Sequence, residues 1–478
     1  MAAARRTSAD RRQPGSSRNG SVRYLVSSEA PPQTAEPSRT AAGRIFATRA
    51  RPPAAAAPKT DPKAGRTENL FHLSRVRPEE MSRGRGPLPG DLCERGSRLP
   101  FPMLYSPLML DEVTQAVLSR EQVARYLRGG EGLSPVEARE RIYAYLDELR
   151  TTQRYHIYRA LKHPLYPILR KLTRIGEGME HVERTVAAGR AVYVSNHRSH
   201  LDYLIGPLIL EDYAVRPPII AAGINVFGGA FGLIQRHVTG AIPIRRNSRD
   251  PAYLATLKVY VAEMLDQHDL LFYPEGGRSY TGDLKSFKTG LFNATLLAQD
   301  LAHTHIVPCA LTYDLVLEDR TLARQGVKRR QRPFTREIAE MVGSAVGYET
   351  RVFVTFGPPI PLATYRPDSR RDVLQLAHLT RERVGRLYKV LPTALVATAM
   401  GPSIAEADLT GRVADLIATL AARGANLDIT DPTMATERGV GLLALRGVIV
   451  RDGKRLRVRE RAVLRYYARA LDHLLTQT

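Results

Sequence analysis

Between about residues 185 and 365 the sequence alternates short apolar runs with longer stretches of helical periodicity. This alternation restricts the fold more than any other feature of the chain. The runs are Ala191–Ser195, Pro218–Ala222, Ala241–Ile244, Leu270–Tyr273, Ile306–Thr312 and Val352–Phe356, and helical patterns such as Ala252–Leu265 and Leu291–Leu301 lie between them. Strand-like runs separated by helix-length segments predict an α/β layered domain with a mainly parallel sheet. We place that domain at residues 176–367.

The flanks read differently. Residues 69–175 are expected to be mostly helical. There Ser134-Pro135-Val136-Glu137 forms a capping box with proline at the first helical position, and Ile142, Tyr145, Leu146 and Leu149 follow on one side. Residues 368–478 are expected to be helical with one hairpin, in which Val448–Val450 and Leu456–Val458 flank Arg451-Asp452-Gly453-Lys454. A final helix is expected over Arg459–Leu475. Residues 1–68 are rich in Ala, Pro, Ser and Arg without periodicity. They cannot bury enough apolar surface to offset the entropy of ordering, which predicts a disordered basic arm.

Charge narrows the classes of partner. The net charge is +22; residues 1–66 hold thirteen Arg/Lys against four Asp/Glu, a net +9, so +13 belongs to the remainder. Such a surface suits nucleic acid, an anionic membrane leaflet or phosphorylated substrates. No helix-turn-helix, zinc-finger or aromatic RNA-binding signature accompanies it, so no nucleic-acid partner is expected. Two cysteines, Cys93 and Cys309, exclude a disulfide framework and fit a reducing compartment. The N-terminus lacks the apolar core of a secretory signal, and no unbroken run of 18 apolar residues exists. The nearest candidate, Ile219–Ile234, is short and carries four glycines and Asn225.

Chemistry concentrates in Val194–Tyr203, V-S-N-H-R-S-H-L-D-Y, where His197 follows an apolar run and Asp202 lies five residues on. A carboxylate that holds an imidazole makes it able to take a proton from a hydroxyl. Five residues of helix turn through about 500°, so the two side chains meet only if His197 sits on a loop and Asp202 in the first helical turn. Ser199 would be the N-cap of that helix. The same pattern also fits a structural capping pair, Ser199-x-x-Asp202, and nothing more. With 12 histidines in the chain the spacing alone is weak.

Three further segments give it weight: Gly240–Arg246 (G-A-I-P-I-R-R), Phe272–Gly282 (F-Y-P-E-G-G-R-S-Y-T-G) and Ile306–Asp314 (I-V-P-C-A-L-T-Y-D). In this order the four blocks resemble the glycerolipid acyltransferase superfamily, and within it glycerol-3-phosphate and dihydroxyacetone-phosphate acyltransferases. The resemblance implies an acyltransferase-type domain with His197 and Asp202 catalytic. It implies substrate binding by Arg245, Arg246, Glu275, Gly276, Gly277, Arg278, Ser279 and Lys288, and an acyl chain lined by Val307 and Pro308. Pro243 stands where the family often has an aromatic. The ending L-R-Y-Y-A-R-A-L-D-H-L-L (Leu464–Leu475) is similar to the C-terminal signature of the glycerol-3-phosphate group.

What the resemblance implies is acyl transfer, with no metal or cofactor, from acyl-CoA or an acyl carrier protein to glycerol 3-phosphate. Dihydroxyacetone phosphate and lysophosphatidate are the alternative acceptors. Cys309 is read as a small core residue and His200 as a packing residue, while Arg198 suits either a phosphate or solvent. The Ile219–Ile234 segment is either apolar surface for the acyl chain and bilayer or a buried strand and loop. A peripheral position on the cytoplasmic side of an anionic membrane is the expected location.

Overall fold

A computed structural model gives the structure of the chain and describes residues 110–128, 132–154, 157, 172–224, 227, 229–328 and 350–476. The expected basic arm, Cys93, much of the expected N-terminal helical region and part of Ile219–Ile234 lie outside the described residues.

The first part runs α1 (Leu110–Ser119), α2 (Glu121–Leu127), α3 (Pro135–Leu149), β1 (Leu172–Glu177), α4 (Met179–Ala188), β2 (Arg190–Ser195) and α5 (Asp202–Asp212). It continues with β3 (Ile219–Gly223), α6 (Gly229–His237), β4 (Ala241–Ile244), α7 (Pro251–Gln267), β5 (Leu270–Phe272) and α8 (Gly290–Thr295). After these come β6 (Thr304–Tyr313), α9 (Asp319–Lys328), β7 (Thr350–Phe356) and β8 (Ile360–Pro361). The sheet order is β1-β7-β6-β2-β5-β3-β4, with β8 beside β6. Every pairing from β6 through β4 is parallel, whereas β7 and β8 run antiparallel to β6. The protein is therefore an α/β structure built on a mostly parallel sheet.

Both faces of that sheet are buried, which is why its strands read as apolar runs. On β2 the side chains alternate. Ala191 and Tyr193 enter one core with Ile205 and Leu208 of α5, and Val192 and Val194 enter a second core with Tyr253, Leu257 and Val261 of α7. Helix α3 packs on the second core, and its capping box forms as the sequence predicts: Glu137 N donates to Ser134 Oγ at 3.3 Å and Ser134 N to Glu137 Oε2 at 2.9 Å.

The C-terminal part holds α10 (Arg370–Leu387), β9 (Lys389–Val390), α11 (Pro392–Ala399), β10 (Ser403–Ala405), α12 (Glu406–Ala422), β11 (Asn426–Leu427) and α13 (Pro432–Leu445). The hairpin of β12 (Ile449–Asp452) and β13 (Arg455–Val458) then precedes α14 (Arg461–Ala468), a 3-10 turn (Arg469–Leu471) and α15 (Asp472–Leu475). Leu395, Val413 and Val440 share one continuous core with Tyr193 and Ile205. The C-terminal helices thus cover one face of the large sheet.

Two helices are shorter than periodicity implies. The helix expected over Leu291–Leu301 ends at Thr295, because Leu297 N and Ala298 N bond three residues back and Arg120 Nη1 takes the Leu297 carbonyl at 3.2 Å. The final helix breaks after Ala468, whose carbonyl accepts the Thr398 hydroxyl at 3.3 Å. The hairpin forms as expected, in the register Ile449↔Val458, and gains β10 as a third strand.

A close helix contact gives a test of this packing. A Cβ at Gly439 of α13 would lie 2.4 Å from the Pro392 carbonyl oxygen and 2.6 Å from Val396 of α11, whereas one at Gly441 meets nothing within 4 Å. Gly439→Ala is expected to lower stability by about 1–3 kcal/mol by overpacking. Gly441→Ala should instead raise it by about 0.5–1 kcal/mol through helix propensity. Urea unfolding of the two variants checks the contrast.

Candidate active site

The site begins where β2 runs out. Strand β6 stays beside β2 up to the pair Ser195↔Cys309 and then continues four residues further, to Tyr313. Over the first part of this overhang the Asn196 side chain takes the place of a strand. Leu311 N donates to Asn196 Oδ1 at 2.8 Å, and Asn196 Nδ2 donates to the Leu311 carbonyl at 2.9 Å and to Tyr388 Oη at 2.9 Å. With these buried groups satisfied by one side chain, the main chain is free to leave the sheet at His197.

His197 and Asp202 meet. The imidazole Nδ1 lies 2.8 Å from Asp202 Oδ2, and the same oxygen accepts Arg198 N at 2.6 Å and Ser199 N at 2.9 Å. Asp202 Oδ1 accepts the Tyr313 hydroxyl at 2.6 Å. The carboxylate is wholly buried. This arrangement corrects the expected cap. Helix α5 starts at Asp202, not after Ser199, because the carboxylate draws the preceding amides onto itself. Ser199 Oγ lies 3.0 Å from both oxygens of Glu318, to which it donates, and accepts Leu201 N at 3.1 Å.

The His197 ring stacks on Tyr273, with centroids 4.5 Å apart. Burial lowers the imidazole's proton affinity below the ordinary histidine value. Asp202 opposes the shift, and the guanidinium charges of Arg278 and Arg246 reinforce it. A neutral ring whose Nδ1 faces a carboxylate carries its proton there, leaving Nε2 as the lone-pair nitrogen.

His197 opens onto a cavity of about 320 Å³ at the carboxyl ends of β2 to β5, where parallel sheets commonly bind ligands. Arg246, Gly276, Gly277, Arg278 and Lys288 line it, together with an apolar wall that includes Ile220, Ala221, Leu254, Leu257 and Leu291. Gly276 has φ +71°, and a Cβ there would meet Lys288 Cε at 2.7 Å, so only glycine lets that lysine lie across the turn. Lys288 Nζ donates to Asn247 Oδ1 at 3.2 Å.

Other expected site residues are placed differently. Arg245 borders the cavity, but its guanidinium is bound by Glu148, with Nε–Oε1 at 2.7 Å, and packs over Tyr145 and Tyr253. Glu275 does not line the cavity. Its carboxylate accepts His197 N at 2.9 Å and Lys285 N at 3.3 Å, and burial pushes its pKa up to about 7. Ser279 is buried in its own turn, where its hydroxyl donates to the Asp283 carbonyl at 2.8 Å and accepts Gly282 N. Val307 and Pro308 sit in the middle of β6, flanked by β2, with Val307 in the core, so neither reaches the cavity. The apolar lining comes instead from β3, β4 and the helices α7 and α8. Ile219–Gly223 is a largely buried strand, as one of the two readings has it, and its carboxyl end lines the cavity. Cys309 is buried and its thiol pushed up to about 12 by burial, as befits a core residue. His200 lines the cavity, with its amide on Glu318 at 2.7 Å.

Sequence reasoning missed Asn196, Tyr313 and Glu318. Glu318 joins two motifs, since besides Ser199 and His200 it meets Arg278 Nη1 at 3.5 Å. For Tyr313 and Glu318 the signal available was block four and its continuation, but its separation of more than a hundred residues from His197 hides the contacts. Among the described residues no three His, Cys, Asp or Glu side chains converge as metal ligands.

A family model of acyltransferases matches residues 176–312, the stretch that carries His197, Asp202, Arg246 and Arg278. The chain carries an acyltransferase domain. It is similar to the glycerol-3-phosphate acyltransferase of Aeromonas hydrophila, 32% identical over 317 residues, covering 63% of this chain and 37% of that protein. The enzyme of the same name from Pseudomonas savastanoi is 31% identical over 61% of this chain and 38% of its own length. That from Actinobacillus succinogenes is 33% identical over 49% and 30%. The chain thus spans well under half the length of these relatives.

Behind the acyltransferase domain, the C-terminal Tyr466-Tyr467 pair braces the loop that carries His197. Buried Arg198 lies between the rings of Tyr388 and Tyr466, at 5.5 and 5.6 Å, and its Nη1 donates to the Gly282 carbonyl, so it serves neither phosphate nor solvent. Tyr467 Oη donates to Asp319 Oδ2 at 2.7 Å and accepts Val316 N at 3.1 Å. His473 packs edge-on against Tyr388, and burial lowers its pKa to about 4. Tyr467→Phe leaves a buried amide and part of a carboxylate without their partner. It is expected to lower the unfolding free energy by about 1–3 kcal/mol, as measured by urea titration.

Proposed function

We propose that this protein is a glycerol-3-phosphate 1-O-acyltransferase, transferring a fatty acyl group from acyl-CoA or an acyl carrier protein in the first step of phospholipid synthesis. The observation that carries the reading is one cavity in which a carboxylate-held histidine faces Arg246, Arg278, Lys288 and an apolar wall. The chemistry needs each of these. Nε2 of His197 removes the proton from the 1-hydroxyl, and the oxygen attacks the thioester carbonyl. Collapse of the tetrahedral adduct breaks the carbon–sulfur bond, and the imidazolium returns the proton to the departing thiolate. Asp202 holds the tautomer and stabilises the imidazolium.

Arg246 and Lys288 supply charge for the acceptor phosphate. Arg246 has no hydrogen-bond or ion-pair partner among the described residues, so its fork is available for an anion. Arg278, tied to Glu318, adds fixed positive potential. The named relatives support glycerol 3-phosphate over the other two acceptors.

Among the described residues no helix is long and apolar enough to cross a membrane. Ile224 and Leu233 are 40% and 62% exposed and neighbour the lining residues Gly223 and Gln235. Peripheral docking of this rim on an anionic cytoplasmic leaflet would bring acyl chains to the cavity.

The test measures thiol release from palmitoyl-CoA with glycerol 3-phosphate, dihydroxyacetone phosphate or lysophosphatidate, in the presence of anionic vesicles. His197→Ala is expected to lose about 10²–10⁴ in rate. Arg246→Ala should raise KM for glycerol 3-phosphate by about 10-fold or more, while Arg245→Ala, already held by Glu148, changes it little. Burial depresses the His197 pKa, so the neutral base persists below the ordinary histidine range. The acidic limb of kcat/KM should therefore fall below pH 6.5. Preference for another acceptor would rename the enzyme; wild-type rates in His197→Ala would end the reading.

A further inference from the structure

We propose that Tyr313 is a positioning residue for acyl transfer, holding the free oxygen of Asp202 so that His197 stays oriented and neutral. The inference rests on the function proposed above and adds a residue outside the cavity to it.

Asp202 Oδ2 is fully engaged by His197 Nδ1, Arg198 N and Ser199 N. The other oxygen has a single partner among the described residues, the Tyr313 hydroxyl at 2.6 Å. Both residues are buried, so no bulk solvent replaces that bond. The bond does two things. It fixes the rotation of the carboxylate, and with it the direction in which Oδ2 meets the imidazole. It also withdraws electron density from the carboxylate and so limits how far Asp202 stabilises the protonated ring.

The fold explains how a residue 111 positions away reaches this oxygen. Tyr313 ends the part of β6 that projects beyond β2, two residues after Leu311, whose backbone the Asn196 side chain holds, so both face the same core as Asp202's helix. Pairing of Tyr313 with Val352 of β7 anchors the projection from its other side. Strand β6 therefore aligns the general base through two separate contacts, one to the residue before His197 and one to its carboxylate.

Other charged and titratable groups also face the pair. Arg246 and Arg278 oppose protonation of His197, and Arg198, Tyr203, Tyr273, Cys309, Glu318 and Tyr466 surround Asp202. None of these supplies a hydrogen bond to Oδ1, so deleting the Tyr313 hydroxyl changes one contact and leaves that field in place.

The experiment compares wild type, Tyr313→Phe and protein with 3-fluorotyrosine incorporated at position 313, by steady-state kinetics and by NMR titration of the His197 ring. Tyr193→Phe is the control, since the Tyr193 hydroxyl is buried without a hydrogen-bond partner among the described residues. In Tyr313→Phe, kcat is expected to fall about 10- to 100-fold with KM for both substrates nearly unchanged. Without the donor, the carboxylate keeps more of its charge for the ring and favours imidazolium. The His197 titration and the acidic limb should then both move to higher pH. The fluorinated residue donates more strongly, keeps the packing and should move both to lower pH; if Tyr313→Phe fails to fold, this variant decides. An unmoved His197 titration, with or without loss of rate, would overturn the proposal. Because the NMR titration needs no turnover, an inactive wild type would refute the acyltransferase reading and leave the Tyr313 contact separately testable.

Discussion

The site depends on a buried negative charge. Asp202 has no exposed surface, and a carboxylate in that position is tolerable only when hydrogen bonds replace the water it has lost. Four do so: from the imidazole, from two consecutive amides of the loop and from the Tyr313 hydroxyl. The demand for these donors shapes its surroundings. It folds the loop after His197 into a tight ring about the carboxylate, fixes where α5 begins, and requires β6 to overrun β2 so that a tyrosine arrives from the neighbouring strand.

The same loop is held from two further sides. Glu275 accepts the His197 amide, and Ser279 N donates to the His197 carbonyl at 2.9 Å, so the glycine-rich turn grips His197 by its main chain. Glu318 draws Ser199, His200 and Arg278 together. Arg198 runs back between Tyr388 and Tyr466 to the Gly282 carbonyl, and Gly282, at φ +92°, has its own position fixed by close approach of the Tyr466 carbonyl. The C-terminal helices are therefore part of the apparatus that keeps the His197 loop in place.

Much of this was legible in the sequence. Apolar runs marked each strand from β2 to β7 because a sheet covered on both faces needs apolar residues at every position. The capping box of α3 and the hairpin turn depend on contacts within three or four residues, and both formed as read. His197 and Asp202 were legible for the same reason: five residues apart, their meeting is a local matter of loop and helix start. The less accurate readings concern side-chain direction. Arg245 and Arg246 are adjacent in sequence, yet Glu148 of α3 holds one while the other is left to the cavity. Glu275 and Ser279 stand in a substrate-like motif but serve the backbone, and Val307 and Pro308 have the apolarity of a lining without the position.

The sequence by itself determined the α/β class, the His197–Asp202 pair and the glycine-rich turn, because each rests on short-range pattern: strand and helix periods, a five-residue spacing, and glycines where backbone must turn. Only the tertiary structure decided which cations face the cavity, which apolar residues wall it and which side chains hold His197. Those choices follow from strand order and from how far β6 projects beyond β2. That geometry brings Tyr313 to Asp202 across 111 residues, and pairings over such distances leave no local periodicity in the chain.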